Sequence, residues 1–318
     1  MSYLKLNSLL AVVSAGALAL GVAACGESTE PTGGSGEAVS GDITIEGSST
    51  VFPFAQAAAE AFQGENGEVN ITVGDAGSTA GFEALCAGET DIADASSQID
   101  EETVKTCEEA GIEPIELTIA NDGISIITNP ELAVECITTE ELAEVWEKGS
   151  SVANLAEVNP DLPDTELALY GPGDESGTWE YFTETINGEE GNIRDDYSPS
   201  ADDNVIVQGV EGEAGGMGFL GFSYYEQNAD ALGIAAVDSG DGCVTPSSET
   251  IQSGEYAPLA RPLFMYVAGT EALAKPQVAA FVDYVLANNT EIAETALVVP
   301  ANEEQISGDE EAIGAGAK

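Results

Sequence analysis

Three short stretches of this chain carry residues whose types and spacing could do chemistry: Gly47-Ser48-Ser49-Thr50, Gly77-Ser78-Thr79 and Ser176-Gly177-Thr178. Each places small hydroxyl side chains and a glycine where a helix-forming run begins. A helix start of that kind exposes backbone N–H groups, adds hydroxyl donors and carries about half a positive charge from the macrodipole. One such start is an ordinary cap and says nothing about a ligand. Three of them at strand-to-helix turns could converge on a single tetrahedral oxyanion. The third has acids beside it, Asp174 and Glu175, in the segment GPGDESGTWEYF (171–182). No GxxxxGK[ST] loop occurs, so a nucleotide site would lack its lysine.

Other chemistry is largely excluded. The chain has no histidine, which removes Ser-His and Cys-His triads, imidazole bases and histidine metal sites together. Cys-x-x-Cys zinc spacing is absent, and the GDEE cluster (308–311) lacks the EF-hand pattern. A Ser-Lys or paired-carboxylate enzyme is what remains of catalysis. No activated nucleophile is visible for either, so catalytic residues, a metal and a cofactor are not expected. Trp146, Trp179, Tyr181 and Phe182 read as core packing rather than a sugar platform, as do Phe219, Phe222, Tyr224 and Tyr225.

The elements that must position the three stretches follow from hydrophobic periodicity. GDITIEG opens as a strand and FPFAQAAAEAFQ continues as an Ala-rich helix. NITVGDAG and DIADASSQI are strands, each followed by a helix, STAGFEALCAG and EETVKTCEEAG. IEPIELTIANDGISIITNP (112–130) reads as two strands joined without a helix. TTEELAEVWEKG is a helix, TELALYG a strand, and the run after Ser176 a helix. ADDNVIVQGVEG is helical, GMGFLGFSYYEQN a strand or tight turn entering a helix, RPLFMYVAG a strand and KPQVAAFVDYVLANN an amphipathic helix. Beyond Pro300 the chain is acidic and Gly-rich and reads as a frayed tail. Alternation of this kind predicts an α/β fold with open, mainly parallel sheets, whose ligand sits at the strand ends.

Composition adds an address. The chain has 318 residues, 43% of them hydrophobic, so it can bury a large core and hold two domains. Its formal charge of −51 argues against nucleic acid, whose phosphates need basic contacts. It suits a halophilic or salt-tolerant source, where screening shrinks to roughly 3 Å at 1 M, although a cation-coated surface or an acidic species-wide composition would look the same. Lys5 precedes the uncharged run LLAVVSAGALALGVAAC (9–25), a secretory signal whose ending, Val22-Ala23-Ala24-Cys25, looks like a bacterial lipobox. Cys25 is then the lipidated first residue, and 26–41 a flexible tether on the outer face of the membrane. The four remaining cysteines, in an exported chain, suggest two disulfides. Spacing favours Cys86–Cys107, whose loop closure would contribute about 3 kcal/mol, with Cys136–Cys243 as the second.

The order GSSTVFPFAQAAAEAF, GDAGSTAGFEALCAGETDIADAS, ELALYGPGDESGTWEYFTE and DDNVIVQGVEGEAGGMGFLGFSYY resembles the PstS-type phosphate-binding proteins of bacterial ABC transporters. The resemblance runs from about Gly41 to Pro300. It implies a two-lobed, type II periplasmic-binding-protein fold, with two open α/β sheets joined by two hinge strands and an anion in the cleft between lobes. Carried onto this chain, one lobe is 42–118 with 260–305, the other 119–259, and the acidic tail 306–318; the strands cross near 118–122 and 257–261. The resemblance assigns phosphate contacts to Ser49, Thr50 and the Val51 N–H, to Ser78 and Ser96, and to Ser176, Gly177 and Thr178.

Two departures stand out. Relatives commonly carry an Asp, or the Arg of Ser-Arg-Pro-Ile, where this chain has Ser96-Ser97-Gln98-Ile99. Many also carry an Arg ahead of the SGT segment, where this chain has Gly171-Pro172-Gly173. A carboxylate acceptor selects protonated phosphate over sulfate, and Asp174, Glu175, Asp94 and Asp203 are its candidates. Only Arg194 and Arg261 could supply a guanidinium, and each reads more simply as a surface charge or an interlobe ion pair. The implied partners are inorganic phosphate, an ABC permease in the cytoplasmic membrane and the membrane itself through the lipid anchor, with a monomeric receptor. Alternatives are a receptor for sulfate or molybdate, a phosphate-sensing or adhesive surface protein, and an exported phosphoester hydrolase.

Overall fold

The computed structural model describes residues 39–174 and 176–316; the signal segment, Cys25, nearly all of the tether and Glu175 lie outside them. No described helix is long and apolar enough to cross a membrane. From Gly41 the chain alternates as its periodicity predicts. β1 (Gly41–Gly47) leads to α1 (Phe52–Glu65), β2 (Val69–Val73) to α2 (Ser78–Cys86), and β3 (Ile92–Ala95) to α3 (Glu101–Glu109). β4 (Ile115–Thr128) follows, then β5 (Cys136–Thr138), α4 (Thr139–Trp146), β6 (Ala168–Gly171), α5 (Gly177–Asn187), β7 (Ser198–Pro199) and α6 (Asp203–Gly212). β8 (Gly216–Gly221) runs into α7 (Phe222–Gln227), and β9 (Gly233–Asp238) pairs with β10 (Cys243–Val244) before α8 (Ser248–Gln252). The described chain closes with β11 (Ala260–Val267), α9 (Gly269–Leu273), α10 (Pro276–Ala287), α11 (Asn289–Ala296), β12 (Val299–Pro300) and α12 (Glu303–Gly316).

The strands pair in the order β2-β1-β3-β11-β4-β8-β6-β7. β1 is parallel to β2 and β3, and β6 is parallel to β7 and β8. The sheets are less parallel than their alternation predicts. β11 returns from late in the sequence to lie between β3 and β4 and runs against both, and β4 is in turn antiparallel to β8 and β9.

The segment read as two strands is one strand of 14 residues, β4. Its polar centre does not break it, because each polar group finds a partner. Asn121 and Gln305 exchange amide hydrogen bonds of 3.1 and 3.0 Å, and Asp122 pairs with Arg261. A register shift leaves Ile119 unpaired with β11, and the Asn289 amide donates to its carbonyl at 2.6 Å.

Two large apolar cores flank this strand. The first gathers Ile43, Ile45, Phe54, Phe62, Leu263 and Phe281. In the second, Phe182 stacks on Phe219 at 3.9 Å between centroids while Trp146 meets their edges at 5.8 and 5.1 Å, so these rings pack as their sequence context predicts. Both disulfides form in the pairing that spacing favours: Cys86–Cys107 ties α2 to α3, and Cys136–Cys243 ties β5 to β10.

The stretch after Pro300 is not a frayed tail through its described length. It forms α12, which docks on β4 through Gln305 and through Asp309, whose Oδ1 accepts from the Thr118 N–H at 2.9 Å. Burial pushes the Asp309 carboxyl up to about 7, opposed by that hydrogen bond and reinforced by the Glu116 charge. The folded chain therefore keeps a proton that the unfolded chain loses near pH 4. Its contribution is full below about pH 4 and is lost as pH rises through about 7. Asp309→Asn keeps an oxygen for Thr118 and should flatten the fall of stability across that window. Urea unfolding midpoints of both proteins at its two ends measure the effect, and parallel pH profiles would contradict it.

Candidate functional site

The first two hydroxyl-rich stretches are built into one backbone frame. β1 ends at Gly47, whose φ of 153° and closeness to β3 leave no space for a side chain: a Cβ would lie 2.0 Å from the Asp94 carbonyl oxygen. That approach lets the Ser48 N–H donate to the Asp94 carbonyl at 2.9 Å, and the Gly77 N–H donates to the Gly47 carbonyl at 2.7 Å. The Ser96 N–H in turn donates to the Ser78 hydroxyl at 3.2 Å. Neither α1 nor α2 has a side-chain hydrogen bond capping its N-terminus, but the Val51, Phe52 and Phe54 N–H groups at the start of α1 already donate to the Ser48 and Val51 carbonyls.

The third stretch meets the first directly. Ser176 caps α5 by accepting from the Thr178 N–H at 3.2 Å. Gly177 lies so near Thr50 that a Cβ there would come within 2.3 Å of the Thr50 hydroxyl oxygen. Arg261 Nη2 donates to Thr50 Oγ1 at 3.0 Å and to the Gly177 carbonyl at 3.5 Å, closing the same seam. Ser49, Thr50, Ser176, Gly177 and Thr178 line one cleft of about 490 Å³, together with Asp122, Asp203 and Tyr224.

Other expected site residues fall elsewhere. Ser78 and Ser96 belong to the frame behind the cleft rather than to its lining. Val51 is fully buried, and its N–H, expected to face an anion, donates to the Ser48 carbonyl at 3.1 Å. Asp174 is exposed on the turn before α5 and does not line the cleft, and Glu175 lies outside the described residues. No group of three or more Cys, Asp or Glu among the described residues could hold a metal.

The electrostatics are uneven. Asp94 is wholly buried and neither of its carboxylate oxygens has a hydrogen-bond partner among the described residues. Burial, then the Glu46 charge, holds its carboxyl well above the usual carboxylate range. Asp203 is pushed up to about 6 by burial and by Asp202. Arg194 is neither the surface charge nor the interlobe ion pair expected of it: it is buried, bonded to nearby Asp196 and to the Val145 and Val152 carbonyls. Arg261 does make the expected ion pair, at 3.4 Å to Asp122, but it also reaches the seam, which its sequence context does not reveal. The only available signal is that it is one of two arginines in so acidic a chain and stands at a strand edge.

A family model for the PBP superfamily domain matches residues 32–289. Protein SphX of Synechocystis is 40% identical over 92% of this chain and 85% of its own length. The phosphate-binding protein PstS of Staphylococcus saprophyticus is 37% identical over 76% of this chain and 74% of its own. This chain belongs to the PstS-type family of phosphate-binding proteins. That is a family of binding proteins, not of enzymes. The crystal structure of a possible phosphate binding protein from Planctomyces limnophilus superposes with a TM-score of 0.81 at 35% identity, covering 88% of this chain and 100% of that one.

The seam yields a direct expectation. Gly177→Ala should lower stability because its methyl group must displace the Thr50 hydroxyl, and Thr50→Ala should relieve part of that cost. A double-mutant cycle by chemical denaturation should therefore give a coupling of about 1 kcal/mol, with the double variant more stable than the sum of single effects. Strict additivity would mean the two loops do not touch in solution.

Proposed function

We propose that this protein captures inorganic phosphate between its first and third loops and delivers it to an ABC permease on the outer face of the cytoplasmic membrane. The observation that carries this reading is the Thr50–Gly177 seam. It brings two helix starts and their hydroxyls to one cleft and bonds the Arg261 guanidinium to the seam between them. Such a site neutralises a tetrahedral anion with oriented N–H and O–H groups rather than with a field of charges. The Staphylococcus saprophyticus relative and the Planctomyces limnophilus structure carry phosphate binding in their names, which supports the same ligand here.

In this reading 42–118 with 260–305 and 119–259 are two lobes, and β4 and β11 are the strands about which they close on the ligand. The two cores lie on either side of those strands, and each disulfide joins residues of a single lobe, which leaves the hinge free. Cys25 and the 26–41 tether hold a monomeric receptor at the membrane, and a halophilic source accounts for the charge.

Asp94, rather than Asp174, Glu175 or Asp203, is the acceptor this reading assigns. Its buried, unpartnered carboxyl stands two residues before Ser96 and accepts the Ser48 N–H at its own backbone carbonyl. Ionised, it takes the proton that phosphate carries; sulfate brings none, so its entry would require Asp94 to take one from water.

Calorimetric titration with phosphate, sulfate and molybdate tests the reading. Phosphate should bind and sulfate should compete poorly; Ser176→Ala should weaken phosphate about tenfold, the loss of one charge-assisted hydrogen bond. Sulfate or molybdate binding with no phosphate heat would overturn it. Asp94→Asn should narrow the preference for phosphate over sulfate, and an unchanged preference would remove Asp94 from the acceptor role.

A further inference from the structure

Arg261 is one of the two residues that the sequence offers as a guanidinium, and its simpler reading there is a surface charge or an interlobe ion pair. It is the second residue of β11 and lies opposite Asp122 of β4 in the strand register. Nε and Nη2 both reach the same oxygen, Asp122 Oδ2, at 3.4 Å, a long and one-sided pairing. Nη2 continues to Thr50 Oγ1 and the Gly177 carbonyl, and Nη1 makes no hydrogen bond among the described residues. The Tyr181 ring lies 3.9 Å beneath the guanidinium carbon, and the Tyr181 hydroxyl is anchored on the Pro258 carbonyl at 2.5 Å.

The surroundings make a cation necessary. Asp122 and Asp203 line the cleft and Asp94 is buried beside its frame, so an entering anion meets carboxyls. Arg194 is committed to Asp196 and two carbonyls, and Lys275 to Asp91. The residues ahead of Ser176 are Gly171-Pro172-Gly173, which supply no charge.

We propose that Arg261 is the cation of the anion site. Delivered by β11 rather than by the segment before α5, it binds the anion at the Thr50–Gly177 seam through its uncommitted N–H groups. Asp122 and Tyr181 are its positioning residues, one by charge and one by its ring face. A fixed positive charge at the seam favours the dianion of phosphate over the monoanion. The inference rests on the oxyanion reading of the cleft given above.

Two measurements test it. The first is phosphate titration of the wild type, Arg261→Gln and Arg261→Lys on either side of neutrality, where phosphate passes from monoanion to dianion. Arg261→Gln should bind about 10- to 100-fold more weakly, the range expected for losing a charged hydrogen-bond partner. Its loss should be larger on the alkaline side, and Arg261→Lys should recover part of the affinity and the pH trend. A wild-type affinity in Arg261→Gln, or a loss equal at both pH values, would overturn the proposal, because a mere brace between loops has no preference for anion charge.

The second needs no glutamine variant and so survives its failure to fold. With only two arginines in the chain, ¹⁵N-arginine labelling gives side-chain signals for Arg194 and Arg261 alone. Saturating phosphate should shift the signal that Arg261→Lys removes and leave the other in place. No shift under saturation would overturn the proposal. If the wild type takes sulfate and not phosphate, the phosphate reading fails, while the same signal must still shift with sulfate for the Arg261 assignment to stand. If the wild type takes no oxyanion, both fall together.

Discussion

β4 and β11 pair along Ile115–Gly123 and Ala260–Val267, and through this ladder the chain passes from one apolar core to the other. Beyond Gly123 the same strand, β4, pairs with β8 and β9 instead. The ladder therefore carries mechanical and chemical duties together. It sets where β3 and β8 stand, and hence where the loops that follow β1, β3 and β6 arrive. It also delivers Asp122 and Arg261 to the seam between Thr50 and Gly177. Polar residues inside a long strand would ordinarily weaken it, yet at its centre they are bonded: Asn121 by Gln305, Asp122 by Arg261, and the bulged Ile119 carbonyl by Asn289.

In the proposed reading a chain of formal charge −51 takes up an anion, an electrostatic problem that its site must meet locally. Long-range repulsion from exposed carboxylates is screened within about 10 Å at ordinary salt. The polar groups at the cleft are few and oriented: the Ser49 and Thr50 hydroxyls before α1 and the Ser176–Thr178 start of α5, with one guanidinium bonded to the seam between them. Preorganised donors of this kind keep their strength where water is excluded. A carboxyl without a partner in the same region, Asp94, is then a feature to be explained by a proton on the ligand rather than a flaw in packing.

Local features were legible in the sequence. The three helix starts, the aromatic packing of Trp146 and Phe182, and the disulfide pairing all depend on residue type and nearby spacing, and all appear where expected. What escaped depends on partners far along the chain. Asn121-Asp122 looks like a break until Gln305 and Arg261 are placed beside it. The acidic stretch after Pro300 looks frayed until Thr118 offers its N–H to Asp309. The Val51 N–H looks free until the turn closes it onto Ser48. Strand direction is hidden for the same reason, since the position of β11 between β3 and β4 is set by contacts across most of the sequence.

The central claim is that one tetrahedral anion sits where the Ser49–Thr50 and Ser176–Thr178 loops meet. A crystal structure of the protein grown with phosphate measures this directly. The account predicts a single tetrahedral density within hydrogen-bond distance of the Thr50, Ser176 and Thr178 groups and of the Arg261 guanidinium. An anion bound elsewhere, or an empty cleft at saturating phosphate, would contradict it.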